Sequence, residues 1–213
     1  LDGNPLYEEQ LQVVKLLGGA FAVNAVIDEH RRLSFINFGE IVESHLAAVT
    51  HIRGFAEVPV ERRFATVLTS AAGYPLDKTY YQTVKGMVAP MDILAPGGEL
   101  IVVSACSEGM GSKEFIEAQR RFVTQGPDAF LAGLKAKRRA EIDEWQTEMQ
   151  LKPMRVGAIR LFTEGLKGEQ RGLTGVDMID DVSAAVRASV ARSGDRRVAV
   201  VPEGPYVVPQ YRA

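Results

Sequence analysis

The sequence contains a single cysteine, Cys106, among its 213 residues. One cysteine cannot form a disulfide within the chain, so a small secreted domain held together by disulfides is excluded. This cysteine usage is typical of a reducing compartment and predicts a cytoplasmic location. We predict that Cys106 is a small buried residue rather than a reactive nucleophile.

The sequence also lacks any apolar run approaching the roughly 20 residues that cross a bilayer. It has no large excess of either charge, since it contains 25 Lys and Arg residues and 27 Asp and Glu residues, which give a net charge of -2. The two short basic runs, Arg62-Arg63 and Lys135 to Arg139, are mixed with acidic residues and are typical of solvated surfaces. We therefore predict neither a membrane nor a nucleic acid as a partner.

Motifs for metals and nucleotides are scarce as well. The three histidines are His30, His45 and His51, and no H-E-x-x-H spacing occurs among them. We predict that all three are structural or surface residues and that the chain contributes no metal ligand. Neither G-x-G-x-x-G nor a P-loop ending in GK[ST] is present.

Strand-like and helix-like segments alternate along the chain, as "FATVLTS", "ELIVVSA" and "RVGAIRLF" are each followed by a helical pattern. This alternation predicts an α/β fold, Rossmann-like, with a mostly parallel sheet covered by helices on both faces. We predict a boundary between residues 1–54, a βαβ-sized remnant of another domain, and residues 55–213, the α/β domain. The last helix is predicted from Val176 to Arg192, before a closing strand.

The segment "TSAAGYPLDKTYYQTVK" connects a strand to a helix and carries more polar groups than packing requires. We predict Asp77 as the helix N-cap. Gln82 and Lys85 are three residues apart and share a helical face, as do Lys78 and Gln82. A glutamine amide and a lysine ammonium can together hold a carboxylate or a hydroxyl group at the strand ends. A solvated surface lysine on a capped helix is the alternative interpretation.

The segment "SACSEGMGS", Ser104 to Ser112, is a second loop between a strand and a helix. Its glycines and serines fit an anion-binding nest or, equally well, a tight turn. Just before it, "ILAPGGELIVVS" resembles the PGG turn of Rossmann-like methyltransferases, but the glycine-rich loop that those enzymes need is missing. We interpret this turn as a generic connection between a helix and a strand. A methyltransferase and a non-catalytic binding module are the two alternative functions.

Five segments occur in an order that resembles one family: "GNPLYEEQ", "FAVNAVID", "TSAAGYPLDKTYYQTVKG", "LAPGGELIVVSACSEGMGS" and "VVPEGPYVVP". They are similar to the C-terminal portion of nickel-dependent lactate racemase and its relatives, the nickel-pincer-nucleotide 2-hydroxyacid racemases and epimerases. The resemblance implies an isomerase in which a hydride moves from C2 of a 2-hydroxy acid to the nickel-pincer nucleotide. The resulting 2-keto acid is then reduced from either face.

The resemblance also implies a division of roles along the chain. Gln82 and Lys85 would contact the substrate from the C-terminal domain, with Tyr81 as a neighbour and Ser107 and Glu108 in a possible cleft loop. The general acid and base histidines and the residues that anchor cofactor and nickel would lie upstream of Leu1. The chain would then be a fragment that is inactive alone, carries no catalytic or metal residue, and binds no cofactor.

The implied partners are a small 2-hydroxy acid and the protein's own N-terminal domain, whose end would be residues 1–54. Lactate, malate, an aromatic hydroxy acid and a sugar acid are the alternatives for the 2-hydroxy acid.

Overall fold

The computed structural model describes residues 3–28 and 30–212. It divides into two compact units, Leu1–Glu57 and Val58–Ala213. The α-helices in the described residues are α1 (Pro5–Leu16), α2 (Ile41–Ala56), α3 (Tyr80–Val88), α4 (Lys113–Gln125), α5 (Pro127–Ala136), α6 (Glu144–Met154), α7 (Glu169–Leu173) and α8 (Val182–Ser193). The strands are β1 (Phe21–Ile27), β2 (Leu33–Glu40), β3 (Glu57–Val60), β4 (Phe64–Ser70), β5 (Leu94–Val103), β6 (Ala158–Phe162), β7 (Asp177–Ile179), β8 (Val198–Val201) and β9 (Val208–Tyr211).

The first unit contains α1, β1, β2 and α2. Its two strands pair antiparallel, with Phe21 opposite Glu40. Asn24 of β1 and Asn37 of β2 both hydrogen-bond the buried Ser44 hydroxyl of α2, at 2.8 Å each. The unit therefore has the predicted size, but it is a hairpin packed on a helix and not a βαβ unit. Its assignment to the end of a cofactor-binding domain stays a prediction, as does the boundary at residue 54.

The second unit is built on a five-stranded sheet with the order β7-β6-β5-β4-β8, and every pair in it is parallel. The α/β fold predicted from the sequence is therefore confirmed. The first strand of this sheet along the chain, β4, lies between β5 and β8, so the order of the strands reverses beside β4. A separate two-stranded sheet pairs β3 with β9, and neither of these strands was predicted.

Helices cover both faces of the five-stranded sheet. The Thr66 hydroxyl of β4 forms a buried hydrogen bond of 2.7 Å with the Ser189 hydroxyl of α8. The next residue, Val67, belongs to the hydrophobic core that contains Tyr80 and Val84 of α3. Because successive side chains of a strand point to opposite faces, α8 and α3 lie on opposite sides of the sheet.

The prediction that Asp77 caps the helix of the polar segment is wrong. α3 begins at Tyr80, and Thr79 is its N-cap, with the Thr79 hydroxyl accepting a hydrogen bond from the Gln82 N–H at 3.3 Å. The Asp77 carboxylate instead accepts a hydrogen bond from the Ala105 N–H at 3.2 Å. This contact spans 28 residues of sequence, so local capping preferences do not reveal it.

The predicted helix from Val176 to Arg192 is correct only in its second part. Residues Asp177–Ile179 form the edge strand β7, and α8 begins at Val182 after the N-cap Asp181. The predicted turn at "APGGEL" lies inside β5, where the pairing register shifts and Gly97 adopts a φ of +75°. A bulge with a left-handed glycine therefore replaces the predicted connection.

Candidate functional site

The order of the strands reverses between β4 and β8. Open α/β sheets bind ligands at the carboxyl ends of the strands that flank such a reversal. The Ser70 hydroxyl at the end of β4 donates a short hydrogen bond to the Pro202 carbonyl that follows β8. Ala71 forms an isolated β-bridge with Glu203. A Cβ on Gly204 would lie 2.5 Å from the Thr69 hydroxyl oxygen, so only glycine fits there. The segments "SAAGYP" and "VPEGP" therefore meet at this edge of the sheet.

The predicted substrate-binding pair, Gln82 and Lys85, lies on α3 directly after this edge, one helical turn apart. The Lys85 side chain is exposed, and within the described residues its ammonium has no hydrogen bond or ion pair. The Gln82 Oε1 atom is buried and has no hydrogen-bond partner among those residues. A buried amide oxygen without a donor is costly, and a bound hydroxyl or ammonium group would relieve that cost.

Lys78, which was predicted to share the face of Gln82, lies before the N-cap and outside the helix. Its ammonium forms an ion pair with the Glu108 carboxylate and lies 5.7 Å from the centre of the Tyr74 ring. The hydrogen bond that Lys78 donates to the Glu108 carboxylate raises the pKa of Lys78. This engagement leaves Lys85, and not Lys78, as the available cation of the segment.

The two residues of the possible cleft loop, Ser107 and Glu108, are both exposed. The Glu108 N–H also donates a hydrogen bond of 2.7 Å to the Lys78 carbonyl. The structure thus brings Glu108 to Lys78, and the described residues show no contact of Ser107 or Glu108 with Gln82. Their place in a substrate cleft stays a prediction.

The loop "SACSEGMGS" uses its backbone to hold the neighbouring loop. The Cys106 N–H donates to the Asp77 carbonyl at 2.7 Å, and the Gly109 N–H donates to the Cys106 carbonyl at 2.9 Å. With the Ala105 N–H bound to the Asp77 carboxylate, these donors are not free to hold an anion. The tight-turn interpretation is therefore favoured over the anion nest. Cys106 is fully buried, as predicted.

Tyr81 points toward α4 and α6. Its ring makes edge contacts with Phe115 at 5.2 Å and with Trp145 at 6.1 Å between ring centres. Burial, and then the nearby Asp143 carboxylate, raise the pKa of Tyr81. The Tyr81 carbonyl accepts a hydrogen bond of 2.6 Å from Gln146 Nε2. These contacts give Tyr81 a packing role between the helices, and its direct contact with substrate stays a prediction.

A groove of about 280 Å³ lies between α3 and α6, and Lys85 is part of its wall. We call it the α3–α6 groove; its lining residues are Val84, Lys85, Val88, Ala89, Trp145, Gln146, Met149 and Pro205. The groove could not be predicted from the sequence, because α6 is about 60 residues from α3 and shows no clear apolar face. The chain's single tryptophan in an otherwise polar segment was the only signal available.

A second hollow of about 340 Å³ lies at the carboxyl ends of β4, β5 and β6. Its lining residues are Ser70, Gly73, Asp77, Val103, Ser104, Ala105, Phe162 and Glu164. Asp77 and Glu164 place carboxylates in this wall, and these would repel an anion. The α3–α6 groove, which carries Lys85, suits a carboxylate ligand better.

The part of the chain that the structure describes has no group of three or more His, Cys, Asp or Glu side chains placed to hold a metal ion. His51 stacks on Phe35 at 4.8 Å, and the His45 ring lies 5.9 Å from the Tyr7 ring. These residues therefore do not fit a nickel centre by themselves.

In the described residues, no helix is both long and apolar enough to cross a membrane.

Comparison with known proteins places the sheet and its loops in one family. Residues 61–208 match the family model described as the lactate racemase C-terminal domain. Lactate racemase of Thermoanaerobacterium thermosaccharolyticum is 25% identical over 211 residues, which are 98% of this chain and 49% of that enzyme. Lactate racemase of Lactiplantibacillus plantarum is 28% identical over 112 residues, 53% of this chain and 26% of that enzyme.

The fold comparison agrees with the sequence comparison. The structure of the lactate racemase apoprotein from T. thermosaccharolyticum has a TM-score of 0.87 at 22% identity, and the match covers 99% of this chain and 50% of that chain. The chain thus spans half or less of the length of the racemases that it matches. With the family model matching more than half of its residues, the chain belongs to the lactate racemase family through its C-terminal domain.

Proposed function

We propose that this chain supplies the substrate-binding portion of a racemase or epimerase, an isomerase that acts on a 2-hydroxy acid. The family membership supports a racemase over the methyltransferase alternative. The observation that carries the proposal is the pair on α3: an exposed, unpaired Lys85 ammonium one turn from Gln82, whose Oε1 atom is buried without a partner.

In this proposal Lys85 pairs with the substrate carboxylate, and Gln82 accepts a hydrogen bond from the 2-hydroxyl group. Two such contacts fix both ends of the C1–C2 bond and so orient the hydrogen on C2. Tyr81, whose ring packs on Phe115 and Trp145, is the proposed third residue of this substrate-binding group.

A nickel-pincer nucleotide in the remainder of the full-length enzyme would supply the hydride acceptor. The described residues of this chain do not fit a metal centre, and their proposed role is to hold the substrate. We expect the general acid and base histidines, and the residues that hold the cofactor, in the half that the matched racemases have beyond the aligned region. The partner of this chain would then be its own N-terminal domain, in a cytoplasmic enzyme.

The proposal is tested with two proteins: the 213-residue chain and the product of the complete reading frame that contains it. We expect the complete protein, supplied with cofactor, to interconvert the enantiomers of a 2-hydroxy acid in a chiral separation assay. The chain alone should show no turnover and no stoichiometric nickel by elemental analysis. Turnover by the chain alone would contradict the division of roles.

Reading the codons upstream of those for residue 1 separates this proposal from the binding-module alternative. An upstream coding region with histidines supports the racemase. A reading frame that starts at this position would support a non-catalytic module.

A further inference from the structure

We propose that the α3–α6 groove binds an aromatic side chain of the 2-hydroxy acid whose carboxylate pairs with Lys85. This inference rests on the proposed role of Lys85 and adds the substrate class. The groove and Lys85 belong to the same compact unit, and the lining residues come from α3, Ala89 just after it, α6 and Pro205.

The walls of the groove suit an aromatic ring. Trp145 is 49% exposed although it is the largest apolar side chain there, and it lines the groove while its ring makes an edge contact with Tyr81. Met149 adds a flexible apolar side chain to the wall, with its sulfur 3.1 Å from the Lys152 ammonium. An aromatic ring in this position would cover apolar surface that otherwise faces water.

The polar groups of the groove bear on the class of 2-hydroxy acid that it takes. Lys85 is the only charged residue of its lining and pairs with one carboxylate. The Lys152 ammonium lies 3.1 Å from the Met149 sulfur of the same wall, so the apolar walls, and not the charges, disfavour a dicarboxylic hydroxy acid. The hydroxyl groups of a sugar acid would meet only Gln146 as a polar side chain, and its Nε2 is engaged with the Tyr81 carbonyl.

The volume of the groove also favours a large side chain. At about 280 Å³ it exceeds the cavity of roughly 150 Å³ that accommodates a benzene molecule. The methyl group of lactate would leave most of this space unfilled, whereas a benzyl group would fill a large part of it.

The test uses Trp145, the chain's only tryptophan, as a reporter inside the groove. The 213-residue chain is titrated with phenyllactate, lactate and the neutral 3-phenyl-1,2-propanediol, which keeps the 2-hydroxyl of phenyllactate but not its carboxylate, and intrinsic fluorescence is followed. We expect phenyllactate to bind at least tenfold more tightly than lactate, because its ring is buried, and more tightly than the diol, because its carboxylate pairs with Lys85.

Two variants localise the binding. Lys85→Gln should reduce the affinity for phenyllactate to that for 3-phenyl-1,2-propanediol, whereas Lys113→Gln, the same charge change at an exposed position on α4, should leave it unchanged. Ala89→Phe fills the groove and should remove the preference for phenyllactate over lactate. No fluorescence response to phenyllactate, or equal affinity for phenyllactate and lactate, overturns the inference.

Turnover by the complete, nickel-loaded protein separates this inference from the proposed function. Racemisation of phenyllactate with a higher kcat/KM than lactate supports both. Racemisation of lactate without a preference for phenyllactate overturns the inference and leaves the proposed function standing. Absence of turnover with every 2-hydroxy acid contradicts the proposed function, and the fluorescence titration then decides the groove by itself.

Discussion

Gln146 Nε2 donates a hydrogen bond of 2.6 Å to the backbone carbonyl of Tyr81, and this bond joins α6 to α3 across 65 residues of sequence. Gln146 is almost fully buried, with 1% of its surface exposed. The bond holds Trp145, its neighbour on α6, against the helix that carries Lys85. It therefore sets the distance between the two walls of the α3–α6 groove.

Gln146→Met removes this bond while keeping the length of the side chain. We expect a loss of about 1–2 kcal/mol in the free energy of unfolding, because a hydrogen bond between buried groups is lost. The measurement is a urea titration of the 213-residue chain followed by circular dichroism. Glu148→Gln, at an exposed position on the same helix, is the control and should change stability by less than about 0.5 kcal/mol. Equal effects of the two substitutions would show that the bond contributes nothing.

Gly204→Ala tests the close approach of the β4 and β8 loops. The new Cβ would lie 2.5 Å from the Thr69 hydroxyl oxygen and 2.7 Å from the Ser70 carbonyl oxygen. We expect a destabilisation of about 1–3 kcal/mol from this overpacking, read as a fall in thermal midpoint.

Gly133→Ala provides the matched control, since Gly133 is exposed within α5 and its Cβ would meet no atom within 4 Å. The alanine should raise stability by about 0.5–1 kcal/mol, because glycine is a poor helix former. A Gly204 variant as stable as the parent chain would contradict the close packing at the strand ends.

The low pKa of the Glu144 carboxyl group predicts that the second unit loses stability in acid. Burial alone would raise its pKa, but hydrogen bonds from the Lys137 ammonium, the Glu141 N–H and the Arg121 guanidinium outweigh burial and lower the pKa of Glu144 to about 2. A carboxyl group whose pKa is lowered by folding stabilises the fold above its unfolded pKa of 4.5. That stabilisation is lost progressively as the pH falls from about 4.5 to about 2.

Glu144→Gln should therefore lower the free energy of unfolding at neutral pH by at most roughly 3 kcal/mol. It should also make the free energy of unfolding less dependent on pH between about pH 5 and pH 2. Denaturant titrations at several pH values measure this. Glu148→Gln again serves as the control and should keep the pH dependence of the parent chain. A Glu144 variant with an unchanged acid transition would exclude this carboxyl as its source.

The sequence predicted the α/β class, the buried Cys106 and four of the five strands of the parallel sheet, all but β7. Those features depend on local patterns, such as the apolar run of β5 and the alternation of strands with helices. The strand β7 was missed because it has only three residues and precedes a helix with a similar apolar spacing. The hairpin β1–β2 lies in the segment predicted as a βαβ-sized remnant, and its antiparallel pairing depends on the turn and not on periodicity.

The candidate site was partly predictable for a comparable reason. Gln82 and Lys85 were found from helical spacing and from resemblance, although the expected N-cap Asp77 is bound to Ala105 of another loop. The α3–α6 groove could not be predicted, because Trp145 reaches α3 only through the packing of two helices distant in sequence. Contacts of this kind are determined by the tertiary fold, and no local motif encodes them.

The most direct test of the account is the effect of Lys85→Ala on the complete, nickel-loaded protein. We predict that kcat/KM for a 2-hydroxy acid falls roughly tenfold to a hundredfold, the contribution of a charged hydrogen bond, while nickel content stays that of the parent enzyme. Lys113→Ala, an exposed lysine at the start of α4, should change neither quantity. An unchanged kcat/KM for Lys85→Ala, with nickel bound, would contradict the assignment of Lys85 to the substrate carboxylate.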